Sequence, residues 1–213
     1  MRLTEARTPV GAIWAARASM ALLDWSEAPA ARPEGLAVAQ AFAHRAAQLD
    51  PGGADGPAAL GAALTVAGAF AAAETALQAA RALSPSDPEA EIRLGWLDCL
   101  RGDWAGGQAR ITAALADQAA VPGWYCLPLA LAALRAEDAA ALAREGQAIS
   151  ASGDRGLVLE RIAAGMRGDA AAVAALSARI VAAGSTPAQL ALAIARLFPD
   201  PDLSDRLIQL TPR

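Results

Sequence analysis

The chain has 213 residues, with 18 basic and 22 acidic side chains, a net charge of −4 and an isoelectric point near 5.0. All the basic residues are arginines scattered among acids, so the clustered positive charge that nucleic acid requires is missing from the sequence. Hydrophobic residues make up 55% of the chain, largely as alanine, and aromatic residues only 4%, which favours helices over strands.

The first predicted elements are two helices over residues 11–25 and 33–49, joined by the turn SEAPAARPEG. Charged residues and a proline interrupt the apolar start of the chain, so we expect no secretory signal and a cytoplasmic protein. His44, the single histidine, lies in the second of these helices. The sequence shows no partner for it in acid–base chemistry, which favours a structural or surface role.

Two repeats with an offset of 34 residues follow, at 54–87 and 88–121. The matching residues are small or apolar, and small residues at matching positions let two antiparallel helices approach closely. Gly68 and Gly102 stand where the first helix of each repeat must end, since glycine tolerates a positive φ. The matched pairs are Leu60 and Leu94, Gly61 and Gly95, Gly68 and Gly102, Phe70 and Trp104, Ala73 and Gly107, Leu77 and Ile111, and Ala80 and Ala114.

This pattern resembles the tetratricopeptide repeat (TPR), a helix–turn–helix unit of 34 residues. More narrowly, LGWLDCLRGDWAGGQARITAAL and the following PGWYCLPLALAALRAEDAAAL resemble the C-terminal repeat region of bacterial winged-helix transcriptional regulators and class III adenylate cyclases. RPEGLAVAQAFAHRAAQLDP and DPDLSDRLIQL resemble the same region. The sequence contains neither a winged-helix segment nor a cyclase domain, so the resemblance implies only a sensory or docking arm.

Further helices are predicted after the central repeats. Together with the earlier segments they predict an all-α protein, a right-handed superhelical stack of about ten helices in antiparallel pairs, forming a single domain over residues 1–213. The uncharged segment 56–73 is rich in alanine and glycine, which partition weakly into lipid, so we expect a buried helix and no membrane span. The further helices lie at 124–135, 138–150, 155–166, 169–182, 187–197 and 202–210.

The residues that enzymes and metal sites need are scarce. Without lysine there is no Walker A loop and no Schiff base, and the sequence has no G-x-S-x-G or G-x-G-x-x-G motif. Cys99 and Cys126 are far apart in sequence and have no histidine nearby, so we expect buried reduced thiols. The sequence therefore predicts no catalytic activity, no cofactor and no metal.

A groove for a partner is predicted where the first helices of successive repeats face the inside of the stack. Its lining is mostly apolar, which suits an apolar or amphipathic segment of another protein, of a second copy or of the chain's own terminus. The same apolar positions are also typical of the core between repeats, and both interpretations of Trp96 and Trp124 stay open here. The predicted groove residues are Thr65, Val66, Arg93, Trp96, Cys99, Leu100, Trp124, Tyr125, Leu127, Leu131 and Leu134.

Two functions are consistent with this sequence. The first is a non-catalytic protein-interaction module, the docking or sensing arm of a bacterial regulatory system, with an open groove. The second is a small-molecule sensor whose superhelix closes around an apolar ligand and seals a cavity.

Overall fold

The computed structural model describes residues 10–116, 118, 122–151 and 153–211. The start of the chain, where no secretory signal is expected, and parts of the end of the second central repeat lie outside the described residues. Within the described ranges the chain is all-α, without strands, and its helices number twelve rather than about ten. They are α1 (Val10–Glu27), α2 (Gly35–Leu49), α3 (Asp55–Val66), α4 (Phe70–Leu83), α5 (Pro88–Leu100), α6 (Trp104–Leu115), α7 (Leu127–Arg135), α8 (Ala139–Ser150), α9 (Arg155–Met166), α10 (Ala170–Ala182), α11 (Pro187–Leu197) and α12 (Pro201–Gln209), with a 3-10 turn over Gly123–Cys126 before α7.

The chain divides into two compact units, Met1–Arg93 (unit 1) and Leu94–Arg213 (unit 2), with the division inside α5. Each unit is described by itself. The prediction of one domain over the whole chain stays a prediction.

Unit 1 is built on alanine. Helix α1 packs on α2 and α3, α2 packs on α3, and α3 packs on α4. The α1–α2–α3 contact buries Ala15, Ala18, Ala43, Ala46 and Ala59, with Trp14, Phe42 and Leu60 packed against them. Because alanine side chains are short, these helices lie close together, but each contact removes little apolar surface from water.

Unit 2 has a core of larger side chains. Helices α7, α8, α9 and α10 pack in sequence, α11 packs on α9 and α12, and α12 also reaches α7. One continuous apolar cluster joins all of these elements. Its fully buried members include Leu131, Leu134, Leu142, Ile180, Ile194, Phe198 and Leu207.

The small residues of the 34-residue pattern lie at close helix contacts, as predicted. A β-carbon added to Gly61 would lie 2.5 Å from Leu77 Cδ2 in unit 1, and one added to Gly95 would lie 2.8 Å from the carbonyl oxygen of Gly107 in unit 2. Gly68 has φ of 75° and Gly102 has φ of 95°, so both end a helix in the left-handed region that favours glycine.

Aspartates begin several of the helices. The Asp87 carboxylate accepts from the Glu89 amide at 2.9 Å, which caps the start of α5 beside Pro88. Asp103, Asp138 and Asp169 each accept amide hydrogen bonds at the start of α6, α8 and α10. Asp103 and Asp169 each end an Arg-Gly-Asp triplet, and each triplet forms the turn between two consecutive helices.

Among the described residues no single helix is both long enough and apolar enough to span a membrane. Helices α10 and α11 have sufficient length and apolar composition only when they are taken together, and the chain bends by 80° between them.

Candidate functional site

Seven of the eleven predicted groove residues are buried. Leu131 and Leu134 are fully buried and Trp96 is 9% exposed, so in this conformation these side chains are core and cannot contact a partner. The open apolar groove predicted for this part of the chain is therefore absent from unit 2, because other helices of the same unit cover it. The buried residues are Thr65, Trp96, Cys99, Tyr125, Leu127, Leu131 and Leu134, and the half-buried ones are Val66, Arg93, Leu100 and Trp124.

Three aromatic side chains of unit 2 form a cluster, and an arginine packs on one of them. The rings are those of Trp96 from α5, Trp104 from α6 and Phe198 from the end of α11, and the arginine is Arg135 from the end of α7. The Phe198 ring stacks on Trp96 with centroids 5.3 Å apart and planes at 28°. The same ring lies 5.8 Å from Trp104. The Arg135 guanidinium carbon lies 5.3 Å from the Trp104 centroid, a cation–π contact on the solvent side. Phe198 itself is 1% exposed and is the anchor of the cluster.

Helix α12 also packs on this part of unit 2. Its two buried residues, Leu203 and Leu207, join the same apolar cluster as Leu131 and Leu134. The Arg206 guanidinium donates to the Glu137 carboxylate at 2.8 Å, which ties α12 to the turn after α7. Trp96 thus packs against Phe198, and helix α7, which carries Leu131 and Leu134, packs on α12 of the chain's own C-terminal part.

The groove residues of unit 1 are satisfied locally. Thr65 donates to the Gly61 carbonyl at 2.8 Å within α3 and is buried. The Arg93 guanidinium contacts the Glu89 carboxylate at 2.7 Å, an i,i+4 ion pair on α5. A groove that combines these residues with those of unit 2 stays a prediction.

Unit 1 has an open cleft that was not predicted from the sequence. It has a volume of about 530 Å³ and lies between α1, the turn after it, and α2. Met20 is 62% exposed and Val38 37% exposed at its wall. The signal available in the sequence is the spacing of Val10, Ile13 and Met20 on one face of α1, apart from the alanines that face α2 and α3.

Arg17 is held over aromatic rings at the wall of this cleft. Its guanidinium carbon lies 4.9 Å from the Trp14 centroid and 5.9 Å from that of Phe42. The Trp14 and Phe42 rings meet edge to face at 5.3 Å. Across the cleft, Asp24 pairs with Arg32 at 2.5 Å, and both side chains are about half exposed. The cleft therefore presents both signs of charge beside apolar surface.

The single histidine and the two cysteines lie in different surroundings. His44 lies exposed on α2. Burial, with Asp98 and Asp103 nearby, raises the pKa of Cys99 to about 12, and burial together with Glu145 raises the pKa of Cys126. Both thiols therefore stay protonated and unreactive at neutral pH. Among the described residues, no three His, Cys, Asp or Glu side chains are grouped so that they could hold a metal ion.

Comparison with known proteins gives fold likeness only. No protein-family model matches the sequence, and no curated protein matches it. YrrB, whose structure is described as that of a TPR protein with an unusual peptide-binding site, has 11% identity and a TM-score of 0.40, over 87% of this chain and 89% of YrrB. PilF of Pseudomonas aeruginosa has 15% identity and a TM-score of 0.47, over 90% of this chain and 97% of that one. At these levels no residue or function carries over. The paired helices and the 34-residue pattern give this chain a TPR-like fold of antiparallel helix pairs.

Proposed function

We propose that this chain is a non-catalytic protein-interaction module that binds an amphipathic helix of another protein on the face of α7 that α12 covers. The observation that carries the proposal is that an amphipathic helix already occupies this face. Leu203 and Leu207 of α12 are buried in the apolar cluster that contains Leu131 and Leu134. A surface that accommodates one such helix has the shape and the apolar character to accept another.

The cover on this face is held by few contacts. Helix α12 has nine residues and buries only two of them, whereas α11 buries six of eleven. The Arg206–Glu137 pair is 33% and 72% exposed on its two sides, and ion pairs this exposed stabilise by about 1 kcal/mol or less. Since short helices are marginal on their own, α12 depends on these contacts, on its packing against α11 and on the Arg161 hydrogen bond to the Leu210 carbonyl. We expect a longer partner helix to displace it. We expect α11 and Phe198 to stay in place.

We place this module in the cytoplasm, as the docking or sensing arm of a bacterial regulatory system. The resemblance of four segments to the repeat region of winged-helix regulators and adenylate cyclases supports this setting. The sensor alternative requires a sealed apolar cavity, and the cleft described in unit 1 is open to solvent.

The test loosens α12 and measures partner binding. The immobilised chain is used to capture proteins from a lysate of the native host, and the affinity is then measured with the purified partner. Arg206→Glu places two acidic groups against each other and frees α12, so we expect partner affinity to rise about threefold to tenfold.

The matched control is the double variant Glu137→Arg with Arg206→Glu, which restores the ion pair with its charges exchanged. Its affinity should return to that of the wild type. Equal affinity for all three proteins, or the absence of any specific partner, would rule out competition with α12. Circular dichroism establishes that each variant keeps its helices.

A further inference from the structure

Exposed apolar surface is concentrated on the first helix pair. Of the ten large apolar side chains that are exposed in the described part of the chain, six lie on α1 and α2. An internal pair of a helical array has neighbours on both sides, while among the described residues of unit 1 the main packing partner of the α1–α2 pair is α3. Two of these side chains, Met20 and Val38, line the open cleft, and exposed apolar surface beside a cleft is typical of interaction surfaces. The six side chains are Val10, Ile13, Met20, Leu23, Val38 and Leu49.

The charges on this surface are arranged to complement themselves. Arg17 and Asp24 are seven residues apart on α1, so they lie two turns apart on the same face, about 10 Å along the axis. Met20 and Ala21 stand midway between them, and all four residues line the cleft. When such a face meets its own copy in antiparallel orientation, each arginine lies opposite an aspartate of the other copy.

We propose that two copies of the chain associate through this surface. In this arrangement α1 lies antiparallel to α1 of the second copy, each inserted into the cleft of the other, so that the two α1–α2 pairs form a four-helix bundle. Met20 packs near the two-fold axis, where the small side chain of Ala21 leaves room for it. The occupant is a second copy because the α1 wall of the cleft carries one arginine, Arg17, and one aspartate, Asp24, at positions that a two-fold axis exchanges. The other two charged residues of the lining, Arg32 and Glu34, lie on the turn between α1 and α2.

Asp24 and Arg17 can both form the proposed ion pair between the two copies. The Asp24 carboxylate uses one oxygen for Arg32 and remains 51% exposed, so it can accept a second guanidinium. Arg17 lies over the Trp14 ring, which limits the side-chain entropy that pairing would cost. The dimer surface consists of α1–α2 residues of unit 1 and does not involve α12, so it can fail or hold independently of the proposed partner site.

The first experiment measures the mass of the full chain by sedimentation equilibrium over a range of concentrations. We expect the wild type to approach twice the monomer mass of 21.6 kDa. Arg17→Glu sets a new carboxylate against Asp24 of the other copy, and Asp24→Arg sets a new guanidinium against Arg17. Each variant alone should therefore dimerise at least about tenfold more weakly than the wild type.

Mixing these two variants provides the decisive comparison. In a mixed dimer both cross-copy contacts become attractive, so equal amounts of the two should form a heterodimer more tightly than either variant forms its own dimer. A wild type that stays monomeric overturns the proposal. A dimer that is indifferent to the charge changes, or variants that do not rescue each other, overturn it as well.

Met20→Glu tests the apolar part of the contact. A carboxylate near the two-fold axis would be buried against its own copy, so dimerisation should weaken at least about a hundredfold. Val181→Glu is the matched control, because Val181 on α10 is also 62% exposed and lies in unit 2. The control should dimerise as the wild type does. Equal behaviour of the two variants contradicts the assignment of the interface to α1.

Discussion

An arginine packs over an aromatic ring in both units, and the two arrangements differ in what covers the ring. In unit 1, Arg17 lies 4.9 Å from Trp14 at the wall of an open cleft. In unit 2, Arg135 lies 5.3 Å from Trp104, whose other neighbour is the buried ring of Phe198. Both arrangements consist of an arginine over a tryptophan. They differ in burial, because the last helix pair, α11 and α12, places Phe198 against the tryptophan of unit 2. The apolar side chains of a helix pair become core or binding surface according to what packs on them.

The largest expected effect is on the sealed arrangement. Phe198→Ala removes a ring that is 1% exposed and stacked on Trp96, so we expect the free energy of unfolding to fall by about 3–5 kcal/mol. Urea denaturation followed by circular dichroism measures this change.

Phe42→Ala makes the same chemical change in unit 1. Phe42 is half-buried beside the open cleft, so its loss should cost only about 1–2 kcal/mol. Equal losses for the two variants would show that the rings of the two units are equally sealed, against the comparison drawn above.

The positions of the helices were largely predictable from the sequence. The segments predicted at 155–166 and 187–197 coincide with α9 and α11. At α11 local chemistry determines the boundary, because Thr186 and Gln189 form a capping box and Pro187 is the first helical residue. The glycines of the 34-residue pattern were predictable for the same reason, since a backbone contact leaves room for no other residue.

The second prediction uses two glycines with different surroundings. A β-carbon added to Gly107 would meet the Gly95 carbonyl oxygen and lie 2.5 Å from Cys99 Sγ, so Gly107→Ala should destabilise unit 2 by about 1–3 kcal/mol. Gly165 lies in helix α9 with its nearest neighbour, Val173 Cγ2, 3.9 Å from an added β-carbon. Gly165→Ala should therefore stabilise the chain by about 0.5–1 kcal/mol.

Thermal or urea unfolding of the two variants gives both signs in one experiment. If both substitutions raised the free energy of unfolding, the close approach of α5 and α6 would not limit the size of residue 107.

The burial of the groove residues could not be predicted. Leu131 and Leu134 follow a helical apolar period, which is the same for a groove and for a core. The residues that cover them, Phe198, Leu203 and Leu207, belong to the last helix pair, far along the chain. The cleft of unit 1 was missed for the opposite reason. Met20 and Val38 stay exposed in the described part of unit 1, and the sequence of α1 does not indicate which of its sides remains exposed.

The smallest expected effect on stability is that of Met20→Cys. This variant is useful because the rate at which its new thiol reacts reports how exposed position 20 is. Met20→Cys changes an exposed side chain, so the free energy of unfolding should change by no more than about 0.5 kcal/mol. At pH 8 and low protein concentration the new thiol should react with iodoacetamide as an exposed thiol does. Cys99, whose pKa burial raises to about 12, should react only when the chain unfolds.

Raising the protein concentration then connects this chemistry to the proposed dimer. A second copy packed on α1 would cover residue 20, so labelling of Met20→Cys should slow as the dimer forms, while Cys99 stays protected throughout. Concentration-independent labelling in a protein that sedimentation shows to be dimeric would place the interface away from the cleft. Rapid labelling of Cys99 in the folded protein would instead show that unit 2 opens readily, and the contrast between its sealed cluster and the open cleft would not hold in solution.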